Sequence, residues 1–276
     1  MNHRPLLTRR YFGQHWLVEE SILSKIINAA KIIPTDRILE IGPGKGYLTE
    51  KLIRSNPALL LSIEIDKYLI PNLRKRFSNY SNFKLIEGDF LTFPLTPPEG
   101  IFTNKVVANI PYNITGPILD KLVGRLGRPS VITFDSLVLL VQKEVADRIL
   151  SPPGSSSFSA LSIRMQLQAE CTEVCKVEPF NFVPPPKVDS KVILIKPLKK
   201  DQRLSIEIEN NIERIITVAF MQRRKKLRNT LNELYRVDLL EKLSHDIGIT
   251  LDQRPQELNI QNWVALAKGI DLKSAK

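Results

Sequence analysis

The stretch RILEIGPGKG, residues 37–46, joins an apolar run to a cluster of three glycines and decides the fold class. The apolar run predicts a buried strand, and the pattern that follows it to about Arg54 predicts a helix. A glycine cluster between a strand and a helix lets a ligand lie close to the backbone, with the amide groups of the helix start facing it. The stretch therefore predicts an α/β unit with a ligand site at its turn.

Further strands and helices alternate on the C-terminal side of this stretch. The apolar runs that predict these strands are Leu59 to Ile65, Phe83 to Glu87, Lys105 to Asn109 and Val138 to Val141. Helical patterns separate them, and the helix after the second strand is expected to end near Tyr80. Such alternation is typical of βαβ units in a parallel sheet. We expect an α/β fold with a Rossmann-like sheet and helices on both faces.

Past the last of these strands the pattern changes. Two β-like runs, 173–177 and 191–196, flank a proline-rich turn and predict an antiparallel addition at the sheet edge. From Ser205 onward apolar residues recur near a period of 3.6, which predicts helices. We therefore expect two domains, an α/β domain over residues 1–200 and a small all-α domain over residues 201–276.

The overall charge favours a polyanionic partner. The chain has 276 residues with 40 lysines and arginines against 29 aspartates and glutamates, a formal net charge of +11. Cations that neutralise phosphates release counterions and gain affinity for nucleic acid, although a merely soluble basic protein remains the alternative. The densest group of cations consists of Arg223, Arg224, Lys225, Lys226 and Arg228. These charges repel one another unless an anion lies close, so the cluster predicts either an anion-binding surface or a solvated helix face.

Several classes of protein do not fit the sequence. No apolar run approaches the roughly 18–20 residues of a membrane span, and the basic start of the chain lacks the apolar core of a secretory signal. The three histidines are too far apart for a metal set, and Cys171 and Cys175 lack the spacing of a zinc site. We expect a cytoplasmic monomer with no metal and no membrane contact.

The residues around the glycines predict a cationic ligand. Their spacing is G-x-G-x-G rather than the G-x-G-x-x-G of dinucleotide folds, and Glu40 stands directly ahead of them. A carboxylate there would repel a pyrophosphate but suits the ammonium and sulfonium of S-adenosylmethionine. The sequence therefore favours S-adenosylmethionine over a dinucleotide as the cofactor.

Acidic residues also follow the second and third strands. Glu64 can accept hydrogen bonds from ribose hydroxyls, and Asp89 can accept one from an adenine amino group while Phe90 packs on the ring. Either acid alone is more often a solvated strand end, but ligands of open α/β sheets bind at these strand ends. The candidate cofactor-binding residues of this region are Glu40, Gly42, Gly44, Gly46, Glu64, Ile65, Asp89 and Phe90.

The tetrapeptide Asn109-Ile110-Pro111-Tyr112 follows the fourth strand and suits chemistry on an adenine amine. The lone pair of that amine is delocalised, and hydrogen bonds from both its hydrogens to the Asn109 side-chain oxygen and the Ile110 carbonyl would free it. Pro111 fixes the backbone so that this carbonyl turns inward, and Tyr112 offers a face for the base. Taken alone, the tetrapeptide would predict only a turn. Because it follows this strand, it predicts a catalytic site that works by positioning the amine and by electrostatic stabilisation.

Taken together, the motifs resemble those of the small-subunit ribosomal RNA adenine N6,N6-dimethyltransferase family (KsgA/RsmA). The matching segments are residues 12–17, 39–46, 64–66, 88–90, 109–114, 142–146, 183–190 and 220–225. The resemblance implies a class I methyltransferase sheet followed by a helical domain that binds RNA or the ribosome. It also implies two methyl transfers to each of two adjacent adenosines near the 3′ end of small-subunit rRNA, on a pre-assembled particle.

The resemblance also assigns roles to residues outside the strand ends. His15 and Leu17 would line the cofactor pocket, where Asn109 also contributes; the family usually has Asn at His15, so its backbone contacts would survive and its side-chain amide contact would not. Phe182 would sandwich the target base against Tyr112, and Lys187 would face RNA phosphate. Without the family, Phe182 would be a core aromatic and Lys187 a surface charge.

Two other functions remain open on the sequence. A non-catalytic RNA-binding assembly factor would keep the fold and the basic cluster, but the intact tetrapeptide argues against it. Methylation of another adenine, in DNA or in large-subunit rRNA, is the second. The DNA enzymes usually have Pro at the position of Ile110, whereas the large-subunit enzymes share nearly all these motifs.

Overall fold

The computed structural model describes residues 15–96 and 101–270. His3 and residues 12–14 of the first motif lie outside the described residues. The strands within the described ranges are β1 (Trp16–Leu17), β2 (Arg37–Ile41), β3 (Leu59–Glu64), β4 (Phe83–Glu87), β5 (Lys105–Asn109), β6 (Gly124–Arg125), β7 (Arg128–Pro129), β8 (Ser136–Gln142), β9 (Ala169–Val177), β10 (Phe182–Val183) and β11 (Ser190–Pro197). The helices there are α1 (Glu20–Ala30), α2 (Tyr47–Arg54), α3 (Ile70–Arg76), α4 (Thr115–Val123), α5 (Lys143–Leu150), α6 (Ala160–Gln168), α7 (Ile206–Met221), α8 (Leu227–Leu231), α9 (Val237–Asp246) and α10 (Ile260–Gly269).

The central sheet has seven strands in the order β4-β3-β2-β5-β8-β11-β9. β3 pairs in parallel with β2 and β4, and β5 pairs in parallel with β2 and β8. β11 pairs with β8 in the antiparallel direction, with Ser190 opposite Gln142. The structure thus confirms the predicted α/β sheet with flanking helices and an antiparallel strand beside its last parallel one.

The candidate residues follow the carboxyl ends of the parallel strands. β2 ends at Ile41, directly before the glycine turn, while β3 ends at Glu64 and β5 at Asn109. Because the strands are parallel and adjacent, these ends lie along one edge of the sheet, where open α/β sheets bind their ligands. The two-stranded ribbon of β1 and β10 pairs Leu17 with Phe182.

Apolar packing holds these strands in place. The strands are buried on both faces, and β3 has every residue buried, so their sequences are continuous apolar runs rather than alternating ones. Helix α1 contributes Leu23 and Ile26 to the core cluster, and α2 contributes Leu52. Each such side chain stabilises the fold by about 1.5–3 kcal/mol when fully buried.

A polar network fixes the amino ends of β2 and β5. The Asp36 carboxylate, 3% exposed, accepts hydrogen bonds from the Lys105 ammonium at 2.7 Å, the Asn104 amide at 2.9 Å and the Ile33 backbone N–H at 2.8 Å. Asn104 in turn accepts from the Arg37 backbone N–H. Burial raises the pKa of Asp36, but these hydrogen bonds outweigh it and lower the pKa overall. The network therefore sets where the two site-bearing strands begin.

The described chain forms two compact units. One comprises residues up to 123 with 130–146 and 171–197, and the other comprises 124–129, 147–170 and the chain from 198. The predicted boundary at 200 had placed 147–170 with the sheet. These residues group with the C-terminal helices because Phe158 and Ile163 pack in the same apolar cluster as the buried side chains of α7 and α10. A division into a cofactor-binding and an RNA-binding domain stays a prediction.

Some local details differ from the sequence-based expectations. The helix after β3 ends at Arg76 rather than near Tyr80, because the chain turns and packs Phe77 against Phe83. The short helix α6 was not predicted, and β9 begins at Ala169, earlier than expected. In residues 15–96 and 101–270, the helices are too short or too polar to cross a membrane.

Candidate active site at the strand ends

The turn after β2 requires glycine at specific positions. Gly44 has a φ of +59°, and a Cβ there would lie 2.7 Å from Cδ1 of Trp16. Gly46 has a φ of +82°, and its Cβ would lie 2.8 Å from Cε2 of Phe77. The Lys45 ammonium lies 4.2 Å from the Trp16 ring centroid. The indole therefore packs directly on the glycine turn, and a side chain at Gly44 would displace it.

Glu40 is held from within the protein. Its carboxylate, 1% exposed, accepts hydrogen bonds from the Thr49 hydroxyl at 2.9 Å and the Ser62 hydroxyl at 2.6 Å. The pKa of Glu40 is raised to about 7, mainly by burial and in small part by the nearby Glu64 carboxylate, against the opposing effect of these hydroxyls. A cation bound beside Glu40 would favour its ionised form.

The raised pKa makes the stability of the ligand-free protein depend on Glu40. A carboxyl whose pKa is about 7 when folded and 4.5 when unfolded stabilises the fold below pH 4.5, and this contribution is lost as the pH rises towards 7. Relative to Glu40→Gln, the wild-type free energy of unfolding should fall by about 3 kcal/mol between pH 4 and pH 8. Urea unfolding across this range measures the difference. Parallel curves would contradict the prediction, and Glu87→Gln, at an exposed strand end, is the matched control.

Glu64 links the end of β3 to the glycine turn. Its Oε2 accepts a hydrogen bond from the Gly44 N–H at 2.9 Å, and its Oε1 accepts one from the Asp66 N–H at 2.9 Å. The residue is 3% exposed, and burial raises its pKa while the backbone N–H donors oppose that rise. Each carboxylate oxygen keeps a lone pair for a further donor. The side chain is therefore preorganised to accept from two ligand hydroxyls.

Asp89 lies in a tight turn after β4. Its Oδ1 accepts a hydrogen bond from the Leu91 N–H at 2.8 Å, and its backbone carbonyl accepts from the Phe93 N–H at 3.0 Å. Phe90 is 4% exposed, and the Lys121 ammonium lies 5.0 Å from its ring centroid. Asp89 thus uses one carboxylate oxygen within the turn, while Phe90 supports the turn from the core.

The side chain of Asn109 is oriented by the backbone of His15. Its Nδ2 donates a hydrogen bond to the His15 carbonyl at 2.9 Å, which identifies the other amide atom as an acceptor, Oδ1. Ile110 is buried, and its N–H donates to the Leu140 carbonyl at 3.4 Å. Pro111 adopts φ −60° and ψ 130°. Asn109 therefore presents an oxygen rather than an NH2 group to a substrate.

Tyr112 is fixed by two contacts. Its hydroxyl and that of Ser190 are 2.6 Å apart, and Ser190 is fully buried. The His15 ring stacks on the Tyr112 ring with centroids 5.8 Å apart and planes at 25°, and His15 Nδ1 lies 2.8 Å from the Pro184 carbonyl. Burial raises the pKa of Tyr112, with the Ser190 hydroxyl opposing. The phenol therefore serves as a fixed neutral aromatic face.

Two cavities at the strand ends bring most of the predicted residues together. The larger, of about 470 Å³, is lined by His15, Trp16, Gly42, Gly44, Glu64, Ile65, Asn109, Ile110, Pro111 and Tyr112. The smaller, of about 300 Å³, is lined by Trp16, Leu17, Glu40, Gly42, Pro43, Tyr47, Leu48 and Asn109. Among the described residues, neither lining contains a lysine or an arginine. Carboxylates, an amide oxygen and aromatic rings instead suit a cationic nucleoside, and S-adenosylmethionine is one.

Four of the predicted catalytic and cofactor-binding residues lie away from these linings. Phe182 is 2% exposed and belongs to the core cluster against which Tyr112 packs, so its ring does not face the larger cavity. Gly46 precedes α2, and Asp89 and Phe90 lie in the turn after β4. The roles of these four residues stay predictions, and a stacking role for Phe182 requires its ring to become accessible.

The sequence patterns missed several residues of the site. Trp16 lines both cavities, Ser190 anchors Tyr112, and Thr49 and Ser62 hold Glu40. Trp16 and Ser190 both lie within motifs of the family. A motif indicates that a residue is near the site, but it does not show which residues it contacts. Thr49 and Ser62 carry no such signal, because only the pairing of β2 with β3 and the packing of α2 bring them to Glu40.

The basic cluster on the helical unit has an internal anion. Arg228 Nε and Lys226 Nζ lie 2.9 and 3.5 Å from the Asp252 carboxylate, and their charges lower the pKa of Asp252. Arg223 donates to the Ser155 carbonyl at 3.4 Å, and Arg224 and Lys225 are exposed. The anion expected near the cluster is thus partly supplied by the protein. Lys187, on the sheet unit, is exposed, and its contact with RNA phosphate stays a prediction.

The sheet order, the glycine turn and the Asn-Ile-Pro-Tyr tetrapeptide after β5 define a class I methyltransferase. Comparison with family models narrows the class. The chain belongs to the ribosomal RNA adenine dimethylase family, whose model matches residues 6–272. It is therefore an enzyme that methylates adenine in rRNA.

Individual relatives agree with this family. A protein from a strain of Prochlorococcus marinus, named ribosomal RNA small subunit methyltransferase A, is 56% identical over 95% of this chain and 94% of its own length. A protein of the same name from Parasynechococcus marenigrum is 53% identical over 95% of this chain and 87% of its own length.

Solved structures agree as well. A dimethyladenosine transferase from Plasmodium falciparum is similar with a TM-score of 0.72 and 31% identity, covering 91% of this chain and 96% of that one. The 23S rRNA methyltransferase ErmE is similar with a TM-score of 0.71 and 25% identity, covering 92% and 98%. Both likenesses span nearly the whole chain.

Proposed function

We propose that the enzyme uses S-adenosylmethionine to dimethylate N6 of two adjacent adenosines near the 3′ end of small-subunit (16S) rRNA, during assembly of the subunit. The observation that carries the proposal is the hydrogen bond from Asn109 Nδ2 to the His15 carbonyl. It commits Asn109 Oδ1 to accept from an amine, as adenine N6 requires. The names of the two bacterial relatives support the small subunit as the substrate.

The residues around Asn109 suit the needs of an adenine amine. Asn109 Oδ1 and the Ile110 carbonyl would accept the two N6 hydrogens, which frees the nitrogen lone pair and stabilises the positive charge that develops as the new N–C bond forms. Tyr112 would stack on the base and hold the nitrogen in line. After the first transfer the charged nitrogen loses one proton to water, so one hydrogen remains for one acceptor and the same arrangement serves the second transfer. The second transfer ends with the loss of the last proton to water, and no strong base is needed.

S-adenosylmethionine, when bound, supplies a methyl group on a sulfonium. Glu64 would accept from its ribose hydroxyls, Asp89 would accept from its adenine amino group, and Glu40 would provide negative charge in the smaller cavity. Gly44, which has no side chain, would let the backbone lie close to the cofactor. His15 contributes its backbone and the stacking of its ring on Tyr112 rather than the amide that the family usually has there.

One experiment tests the proposal directly. Purified enzyme is mixed with methyl-labelled S-adenosylmethionine and, in separate reactions, with small or large subunits that lack the modification, and the modified nucleotides are mapped by primer extension. Label at two adjacent adenosines near the 3′ end is expected. Tight particle binding without label would indicate a non-catalytic assembly factor, and label only in large-subunit rRNA would indicate the activity named for ErmE.

We further propose that the enzyme acts in the cytoplasm as a monomer on a pre-assembled small-subunit particle, without a metal ion. The charge of +11 supports a polyanionic partner of this kind. In the described part of the chain, histidine, cysteine and acidic side chains do not group as a metal site would need. Lys187 and the basic cluster are the proposed RNA contacts.

The cluster gives a separate prediction about salt dependence. Replacing Arg224 and Lys225 together by glutamine should reduce the slope of log K against log salt for particle binding by roughly 0.7–0.9 per lost phosphate contact. Replacing Lys226 and Arg228 should reduce it less, because both pair with Asp252. Binding measured across a series of salt concentrations checks both, with Lys242→Gln, exposed on α9, as the control. An unchanged slope in the first variant would make the cluster a solvated face.

A further inference from the structure

Lys121 reaches from helix α4 to the turn that carries Asp89. Its ammonium donates hydrogen bonds to the Leu91 carbonyl at 2.8 Å and to the Phe93 carbonyl at 2.5 Å. It also lies 5.0 Å from the centroid of the Phe90 ring. One cation therefore holds two backbone groups and one ring within five consecutive residues, 89–93.

The first half of the turn is fixed by contacts of its own. Asp89 Oδ1 accepts from the Leu91 N–H at 2.8 Å, and the Gly88 N–H donates to the Glu64 carbonyl at 2.8 Å. In the second half the N–H groups of Thr92 and Phe93 donate to the Asp89 carbonyl, while the carbonyls of Leu91 and Phe93 point to Lys121. Burial lowers the pKa of Lys121 and the Asp89 charge raises it, so the ammonium also acts on the carboxylate electrostatically.

Lys121 also connects this turn to the acceptor site. Helix α4 begins at Thr115, directly after the turn of Tyr112–Ile114, and the Thr115 hydroxyl donates to the Tyr112 carbonyl at 3.2 Å. Further along the same helix, Lys121 holds the Asp89 turn. Helix α4 thus connects the residues that would bind the target amine with the turn that would bind the cofactor adenine.

We propose that Lys121 is a positioning residue for adenine recognition, which it serves by holding the Asp89 turn through the carbonyls of Leu91 and Phe93. This inference rests on the proposed function, in which Asp89 accepts from the adenine amino group. Lys121 acts through the turn and not through a contact with the cofactor. Without its two hydrogen bonds the second half of the turn is less ordered, and binding of adenine must then order it.

The test is Lys121→Met, which keeps the length of the side chain and removes both hydrogen bonds. Calorimetric dissociation constants for S-adenosylmethionine and S-adenosylhomocysteine should both rise about tenfold, the equivalent of one such hydrogen bond to a charged group. The single-turnover rate of methyl transfer at saturating cofactor should stay within about twofold, since Asn109 and Tyr112 keep their contacts. Lys84→Met, an exposed cation on the strand that leads into the same turn, should change neither quantity.

Other outcomes would overturn the inference. Unchanged dissociation constants, whether or not the saturated rate falls, would show that Lys121 does not act through the adenine site. A loss of affinity, rate and unliganded melting temperature together would show a general structural role. If the methionine variant does not fold, Lys121→Leu, which also lacks a hydrogen-bond donor, decides by the same measurements. Failure of the wild-type enzyme to bind S-adenosylmethionine would instead contradict the proposed function itself.

Discussion

Asn109→Ala is expected to lower the single-turnover rate of methyl transfer by about 10²–10³-fold, the usual effect of removing one preorganised polar group from a reacting centre. The amide of Asn109 is held by the His15 carbonyl at 2.9 Å, so its oxygen stands ready without reorganisation. Alanine removes the acceptor that frees the lone pair and stabilises the developing charge. The dissociation constant for S-adenosylmethionine should stay within about threefold, because Glu64 and the glycine turn are intact.

The measurement is single-turnover label transfer to unmethylated small subunits at saturating cofactor, with calorimetry for cofactor affinity. Asn28→Ala removes the same group from an exposed position on α1 and should leave both quantities unchanged. A rate for Asn109→Ala within about tenfold of wild type would mean that Asn109 is not the acceptor. A large loss of cofactor affinity with a normal saturated rate would place Asn109 in the cofactor site alone.

The strands and their ends followed closely from the sequence. The predicted runs at 83–87 and 105–109 coincide with β4 and β5. The middle of β5 is buried and needs continuous apolar residues, whereas β4 is a partly exposed edge strand in which Lys84 and Glu87 face solvent. Asn109 is the last residue of β5, and Glu64 is the last residue of β3, one residue before the end of the predicted run 59–65. Most of the larger cavity could therefore be predicted before any contact was known.

The contacts that orient the site could not be predicted in this way. His15 holds Asn109 and Tyr112, which lie far along the chain from it, and Lys121 holds the carbonyls of Leu91 and Phe93 across another long separation. Such pairs depend on which elements pack together, and local patterns carry no record of that. The same limit applies to Phe182. The resemblance implies that its ring stacks on the target base, and the sequence does not show that its pairing with Leu17 and its neighbours in the core bury that ring.

The pattern of charges in the sequence locates the basic cluster but does not show which of its cations form ion pairs. The cluster from 223 to 228 predicts either a nearby anion or a solvated helix face, and Asp252 lies beside two of its members. That aspartate is distant in sequence and reaches them through the turn after α9. The exposed cations Arg224 and Lys225 can be told from the paired ones only in the folded chain.

Glu64→Gln is expected to raise the dissociation constant for S-adenosylmethionine by about 100-fold, equivalent to losing one strong or two modest hydrogen bonds to a charged group. The carboxylate accepts from the N–H groups of Gly44 and Asp66 through separate oxygens, each at 2.9 Å. A glutamine has one acceptor oxygen, so its NH2 group would face one of these donors and leave it unsatisfied. It would also face a ribose hydroxyl with one acceptor fewer.

The pH dependence of binding separates this charge effect from a change of shape. Burial raises the pKa of Glu64, so in the wild-type protein the carboxylate is neutralised at a higher pH than an exposed glutamate. The affinity should therefore fall as the pH falls through that pKa, whereas the affinity of Glu64→Gln should show a weaker dependence. Calorimetry from about pH 4.5 to pH 8 checks both, with Glu87→Gln, paired opposite Glu64 at the end of β4, as the control. Equal affinities of wild type and Glu64→Gln at the upper end of this range would contradict the role of Glu64, because there the charged acceptor makes the largest difference.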